Sequence, residues 1–186
     1  MIVGTSQKIV MLTAYDYPSA FIAASAGVDI ILVGDSAANV VHGLKSTTEI
    51  GMAEMLLHTR AVKNGVQMSS NKPLIVGDMP AHSYDAPELA LQNAKKFLDA
   101  GAGAVKIEGG KIDVVDKLVA NGIKVMGHLG YLPQTDAKPK VKGREESEAQ
   151  QLITAAKNLE AAGCLWLVLE LVPEQTAKTI SDELKI

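Results

Sequence analysis

Residues able to do chemistry recur through this chain at the ends of short apolar runs: Tyr15 with Asp16, Asp35 with Ser36, Asp78, Lys106 with Glu108, His128 and Glu170. Two of these places repeat one pattern, an apolar run followed by glycine and aspartate, in DIILVGDS (29–36) and PLIVGDMP (73–80). Each residue also has a structural reading. Asp35 and Asp78 could cap helices, Glu108 before Gly109-Gly110 could serve a turn, and a lone His128 could be a hydrogen-bonded core histidine. The capping reading is weakened because the next helical patterns, near 49 and 86, begin well after the aspartates. Glu170 closes the most apolar run, LWLVLE, where a carboxylate has few structural uses. Several carboxylates with no Cys or His pair beside them suit a hard cation bound through oxygen, with Mg²⁺ as first choice.

The elements that must position these residues alternate. The apolar runs are 8–15, 29–35, 73–78, 103–108, 123–128 and 165–170. They are short and continuous, as strands buried on both faces are. Between them lie helical patterns at 17–26, 49–64, 86–100, 110–121, 145–162 and 173–184. Gly27, Gly65, Gly101, Gly122 and Gly163 follow the first five, and Pro87 and Pro173 open two of them, as helix boundaries prefer. Strand–helix repetition predicts an α/β fold with parallel strands and right-handed crossovers. Length favours an open doubly wound sheet, because a full (β/α)₈ barrel takes about 250 residues. The polar residues favour a barrel, since all six strand ends contribute and only a ring makes them converge. In GAVKIE, Lys106 and Glu108 share one face and Val105 and Ile107 the other. The charged pair is therefore expected to point into the barrel.

Composition narrows the function. The chain has 186 residues, 47% of them hydrophobic, and a net charge of −3. It should form one domain over 1–186 with a packed core, and no basic surface calls for nucleic acid. The single cysteine, Cys164, excludes an intrachain disulfide and reads as a core residue. No run is long enough for a membrane span and no signal-peptide pattern opens the chain, so the expectation is a cytoplasmic protein without a membrane partner. GAGAVK (101–106) precedes its strand and lacks the third glycine of a dinucleotide loop. His58 lies mid-helix and receives no role; His42 and His82 fall in loops and stay undecided. PQTDAKPKVKGR (133–144) is either a solvated connection or a flap over a site.

Eight stretches together resemble the ketopantoate hydroxymethyltransferase family: TAYDYPSA (13–20), LVGDSAANVVHG (32–43), HTRAV (58–62), GDMP (77–80), VKIEGG (105–110), GHLGYLPQ (127–134), KVKGR (140–144) and LVLELVP (167–173). They stand in family order and cover nearly the whole chain. The resemblance implies a (β/α)₈ TIM barrel of the phosphoenolpyruvate/pyruvate type. It implies transfer of a one-carbon unit from 5,10-methylenetetrahydrofolate to 3-methyl-2-oxobutanoate through a Mg²⁺-stabilised enolate, giving 2-dehydropantoate for pantothenate and coenzyme A. It further implies that Asp35, Asp78 and Glu108 form the magnesium site, with Asp35 and Asp78 also near the substrate. Ser36 and Lys106 would bind the ketoacid carboxylate, His128 would line that pocket, and Glu170 would be the general base. A homo-oligomer is implied as well.

The chain departs from the family in three places. TDAKP replaces a longer segment between the Pro-Gln of GHLGYLPQ and the KVKGR stretch. A helix before the first strand and the last two β/α units after DELKI are expected to be missing. Either the sequence is part of a longer polypeptide or it is a true fragment. Two other readings stand beside the hydroxymethyltransferase: a Mg²⁺-dependent carbon–carbon lyase or mutase of the same barrel group, and an inactive fragment that only self-associates.

Overall fold

A computed structural model describes residues 8–186. Six parallel strands form one sheet: β1 (Met11–Thr13), β2 (Ile30–Val33), β3 (Leu74–Asp78), β4 (Ala104–Glu108), β5 (Val125–Gly130) and β6 (Trp166–Glu170). They lie side by side in chain order. That order separates the two architectures left open by the sequence. A doubly wound sheet reverses its strand order at a switch point, whereas a barrel advances strand by strand in one direction. With right-handed crossovers, sequential order puts every helix on one face. The molecule is thus an arc of six β/α units of the barrel type.

Among the described residues seven helices accompany the strands: α1 (Tyr17–Ser25), α2 (Ala37–Val40), α3 (Met52–Met68), α4 (Pro87–Ala100), α5 (Ile112–Ala120), α6 (Glu146–Ala161) and α7 (Glu174–Glu183). Five of them, α1 and α4 to α7, agree with the sequence reading to within a residue or two. Helix α4 begins at Pro87 and ends at Gly101, whose φ of 111° is the left-handed cap that glycine takes without strain. Helix α3 does not match the expected 49–64. A short 3-10 turn at Thr47–Glu49 precedes it, and it runs through Gly65 to Met68. Gly65 is not a stop. A Cβ there would lie 2.3 Å from the carbonyl oxygen of Tyr17 and 3.0 Å from Cβ of Ala20, so the glycine lets α3 cross α1 at close range. Lys72 then ends the helix, its ammonium donating to the carbonyls of Val66, Gln67 and Ser69.

The two faces of the sheet carry separate apolar clusters. Val33, Ile31, Ile75, Val105, Ile107, Val125 and Leu129 pack outward against buried helix residues such as Val62, Phe97, Leu118 and Leu159. Each fully buried side chain of this size contributes about 1.5–3 kcal/mol. Ile30, Val76, Ala104, Met126 and Trp166, one from each of β2 to β6, form an inner cluster. This is the floor of the arc. With a period of two along each strand, the next inward positions toward the carboxyl ends are polar in β3, β4 and β5 (Asp78, Lys106 and His128) and apolar in β2 and β6 (Leu32 and Val168). Val105 and Ile107 do pack on the helices, and Lys106 and Glu108 do face inward, as the alternation in GAVKIE predicts. Cys164 is buried in the outer cluster, and burial alone pushes its thiol up to about 12.

No helix among the described residues is long and apolar enough to cross a membrane.

Candidate active site

Strand register sets the centre of the site. Asp78 on β3 is the direct register partner of Lys106 on β4, and Glu108 on β4 is the partner of His128 on β5. Register partners in a parallel ladder project side by side, so four inward polar residues stand together above the apolar floor. All four are buried. Lys106 Nζ donates to both oxygens of Asp78, each at 2.8 Å. Burial works against the ammonium, but Asp78, and then Asp35, outweigh it and hold the lysine pKa above its ordinary value. Lys106 is therefore charged, with Asp78 as its hydrogen-bonded partner.

Asp35 reaches the same place by another route. It lies past the end of β2, where the chain turns into α2, and its backbone N–H is 3.3 Å from Oδ2 of Asp78. Helix α2 starts directly behind it, which the sequence reading missed. Even so, the Asp35 side chain does not cap that helix; its Oδ2 accepts from the side-chain amide of Gln134 at 2.9 Å. Burial, then the nearby charge of Asp78, push the Asp35 carboxyl up to about 7, against the opposing pull of Lys106 and Gln134. Gln134 is the residue that sequence reasoning did not single out, although it ends the quoted GHLGYLPQ stretch. Its amide also donates to the carbonyl of Met79 at 3.0 Å and accepts from the hydroxyl of Tyr84 at 2.5 Å. Its backbone N–H donates to Oε2 of Glu108 at 3.1 Å. Segment 133–144 therefore comes into the site and does not merely pass over it.

The other expected residues sit around this centre. Ser36 shares a hydrogen bond with the Tyr15 hydroxyl at 2.9 Å. The carbonyl of Tyr15 lies 2.7 Å from Nδ1 of His58, and Nε2 of His58 lies 2.8 Å from Nε2 of His42. His58, left without a role by its mid-helix position, thus ties α3 to the end of β1. Asp16 is a helix cap, accepting from the Ser19 N–H at 2.8 Å. His82 pairs with Asp85 on the surface. His128 has Nδ1 3.5 Å from Oε1 of Glu108 and Nε2 3.3 Å from Oε2 of Glu170, close to both carboxylates without hydrogen-bond alignment to either. Glu170 closes the most apolar run of the sequence, yet its side chain is 43% exposed. The reason is that β6 pairs only with β5 among the described residues, so one flank is open.

The donor set fits a hard divalent cation in chemistry. Asp35, Asp78 and Glu108 offer carboxylate oxygens at one strand-end mouth, and the buried Oε1 of Glu108 has no hydrogen-bond partner. Burial first, and the neighbouring Asp78 second, raise the Asp35 carboxyl, and a cation bound there would favour its ionised form. Among the described residues, however, no three acidic, histidine or cysteine side chains stand arranged to hold an ion as they are. Both Asp78 oxygens are turned to Lys106.

Comparison with known proteins bears on the family and the fold. The family model for ketopantoate hydroxymethyltransferase matches residues 2–186. The 3-methyl-2-oxobutanoate hydroxymethyltransferase of Thermotoga maritima is 48% identical over 186 residues, covering 97% of this chain and 67% of that protein. The Chloroflexus aurantiacus enzyme of the same name is 45% identical over 185 residues, covering 97% and 64%. The chain spans about two thirds of the length of these curated relatives. Among solved structures, a phosphonopyruvate hydrolase complex with oxalate and Mg²⁺ superposes with a TM-score of 0.73 at 12% identity, covering 95% of this chain and 64% of that one. A 2,3-dimethylmalate lyase of the PEP mutase/isocitrate lyase superfamily does so with 0.67 at 17% identity, covering 95% and 61%. At such low identity these two likenesses speak for the barrel fold alone. The profile match and the identity to curated enzymes go further: this chain belongs to the ketopantoate hydroxymethyltransferase family.

Proposed function

We propose that this chain catalyses, or forms the catalytic part of an enzyme that catalyses, hydroxymethyl transfer from 5,10-methylenetetrahydrofolate to 3-methyl-2-oxobutanoate, giving 2-dehydropantoate. The observation that carries the reading is the meeting of Asp35, Asp78, Lys106, Glu108 and His128 in one buried group at the carboxyl ends of β2 to β5. Mg²⁺ would be held by Asp35, Asp78 and Glu108, and when bound it would draw electrons from the 2-oxo group and so acidify the C3–H bond.

The chain's own residues account for the rest. Lys106, fixed beside Asp78, supplies the positive charge for the ketoacid carboxylate. Ser36, held by Tyr15, offers a hydroxyl to the same carboxylate. His128 closes the wall between Glu108 and Glu170. Glu170 takes the proton from C3 onto its carboxylate. The electron pair left at C3 then bonds the donor's methylene carbon as one of its carbon–nitrogen bonds breaks. Water displaces the second nitrogen and leaves its oxygen as the product hydroxyl. Tetrahydrofolate departs with its two nitrogens carrying the proton taken from C3 and one from water. The anchored segment 133–144 shields this step from bulk solvent. A cytoplasmic setting and self-association accompany this reading through the family resemblance.

The test is deuterium exchange at C3 of 3-methyl-2-oxobutanoate in D₂O with Mg²⁺, followed by proton NMR. Exchange is expected with the unaltered chain. Glu170→Gln should slow it by about 100-fold or more, in line with the loss of a general base. Undiminished exchange in that variant would show that Glu170 is not the base.

A further inference from the structure

We propose that Gln134 is a positioning residue for the cation site, setting Asp35 and Glu108 so that each turns one free carboxylate oxygen toward the ion. The proposal rests on the Mg²⁺ reading above and assigns a job to a residue that contacts neither the ion nor the reacting carbon in that scheme.

The geometry is specific. One side-chain N–H group of Gln134 occupies Oδ2 of Asp35, and the Gln134 backbone N–H occupies Oε2 of Glu108. Among the described residues, Oε1 of Glu108 is left buried without a hydrogen-bond partner, and Oδ1 of Asp35 accepts no hydrogen bond. Each carboxylate is thus pinned by one oxygen and open at the other. The pin is itself held. The Tyr84 hydroxyl donates to the Gln134 side-chain oxygen, and the Met79 carbonyl accepts from its nitrogen. Tyr84 in turn accepts from the Glu108 backbone N–H at 3.3 Å, closing a ring through β4.

The segment carrying Gln134 is fixed on both sides. The Tyr131 N–H donates to the carbonyl of Glu170 at 2.8 Å, and the Leu132 N–H donates to Oδ2 of Asp136 at 3.0 Å. Asp136 is further tied to Lys142 at 3.1 Å. Pro133, between these anchors, limits the backbone next to Gln134. Groups that orient metal-binding carboxylates by hydrogen bonds typically change metal affinity 10- to 100-fold when removed. Asp78, the third carboxylate, is held separately, both of its oxygens accepting from Lys106.

The test is calorimetric titration of the chain with Mg²⁺ alone, in the absence of substrate. Gln134→Met keeps the size of the side chain and the backbone N–H but removes the amide; it should weaken Mg²⁺ binding about 10-fold or more. Tyr84→Phe, which loosens Gln134 without touching Asp35, should weaken it by a smaller factor, about 2- to 10-fold. Thermal unfolding of both variants separates positioning from a general tethering role, which would lower the unfolding temperature and leave affinity unchanged in the folded chain. Mg²⁺ affinity equal to that of the unaltered chain in both variants would overturn the role of Gln134 while leaving the cation site standing. If the unaltered chain itself bound no Mg²⁺, the cation reading would fall, and this inference with it.

Discussion

The tripeptide Val-Gly-Asp occurs at 33–35 and again at 76–78, and the two copies reach the same site by different mechanics. In β3 the register pairs Val76 with Leu32 and Gly77 with Val33, so the copies are one residue out of phase across the sheet. A one-residue offset exchanges the faces. Val76 and Asp78 point inward by simple alternation, while Gly77 faces outward and lies flat under the ring of Phe97. Val33 points outward, and Asp35 comes inward only because the chain leaves the strand and turns into α2. Asp78 is consequently held by a charge and Asp35 by an amide. One motif in the sequence thus encodes a strand residue with an ionic partner and a turn residue with a strongly raised carboxyl.

The largest effect is expected where the charge is removed from the Asp78 side. Lys106→Met leaves Asp78 buried without its cation and should cost about 3–5 kcal/mol of stability, read from urea unfolding at neutral pH. Equal stability of the variant would mean that the pair does not hold the β3 copy together.

The Asp35 side should show itself through pH. A carboxyl whose folded pKa is about 7, against an ordinary value of 3.8, binds its proton more tightly in the folded state than in the unfolded one. Between those two values the folded state carries the extra proton, so stability falls as pH rises from about 4 to 7. At about 1.4 kcal/mol per unit, the full swing is at most about 4 kcal/mol. Asp35→Asn should flatten this part of the profile, measured without divalent cations. An unchanged profile would show that Asp35 is not the group responsible.

The glycines give the smallest contrast. A Cβ on Gly77 would stand 2.3 Å from Cδ1 of Phe97, a ring locked in the core, so Gly77→Ala should cost about 1–3 kcal/mol. A Cβ on Gly34 would meet the Ser36 hydroxyl at 2.8 Å, and that hydroxyl can rotate away. Gly34→Ala should therefore change stability little and disturb the Ser36–Tyr15 hydrogen bond instead. Thermal unfolding of the two variants distinguishes them.

Much of this was legible in the sequence because parallel strands announce themselves as short apolar runs and the site residues cluster at their ends. Asp35, Ser36, Asp78, Lys106, Glu108, His128 and Glu170 all lie at the strand-end mouth where they were expected. What escaped depends on distant partners. Gly65 reads as a helix stop because local sequence cannot show that α1 presses against it. Helix α2 is only four residues long and Ser36 makes no side-chain cap to announce it. Gln134 sits in a stretch with prolines and few apolar residues, and its partner Asp35 is 99 residues away. The half-exposed Glu170 follows from β6 having one strand neighbour, which no property of LWLVLE reveals.

The central claim is that both aspartate copies, together with Glu108, gather one divalent cation that grips an α-ketoacid. Calorimetric titration with 3-methyl-2-oxobutanoate, run once with Mg²⁺ and once with a chelator, tests it most directly. The account predicts one-to-one binding that requires Mg²⁺ and is lost in Asp78→Asn. Ketoacid binding of equal strength in the chelator, or no binding in either condition, would contradict it.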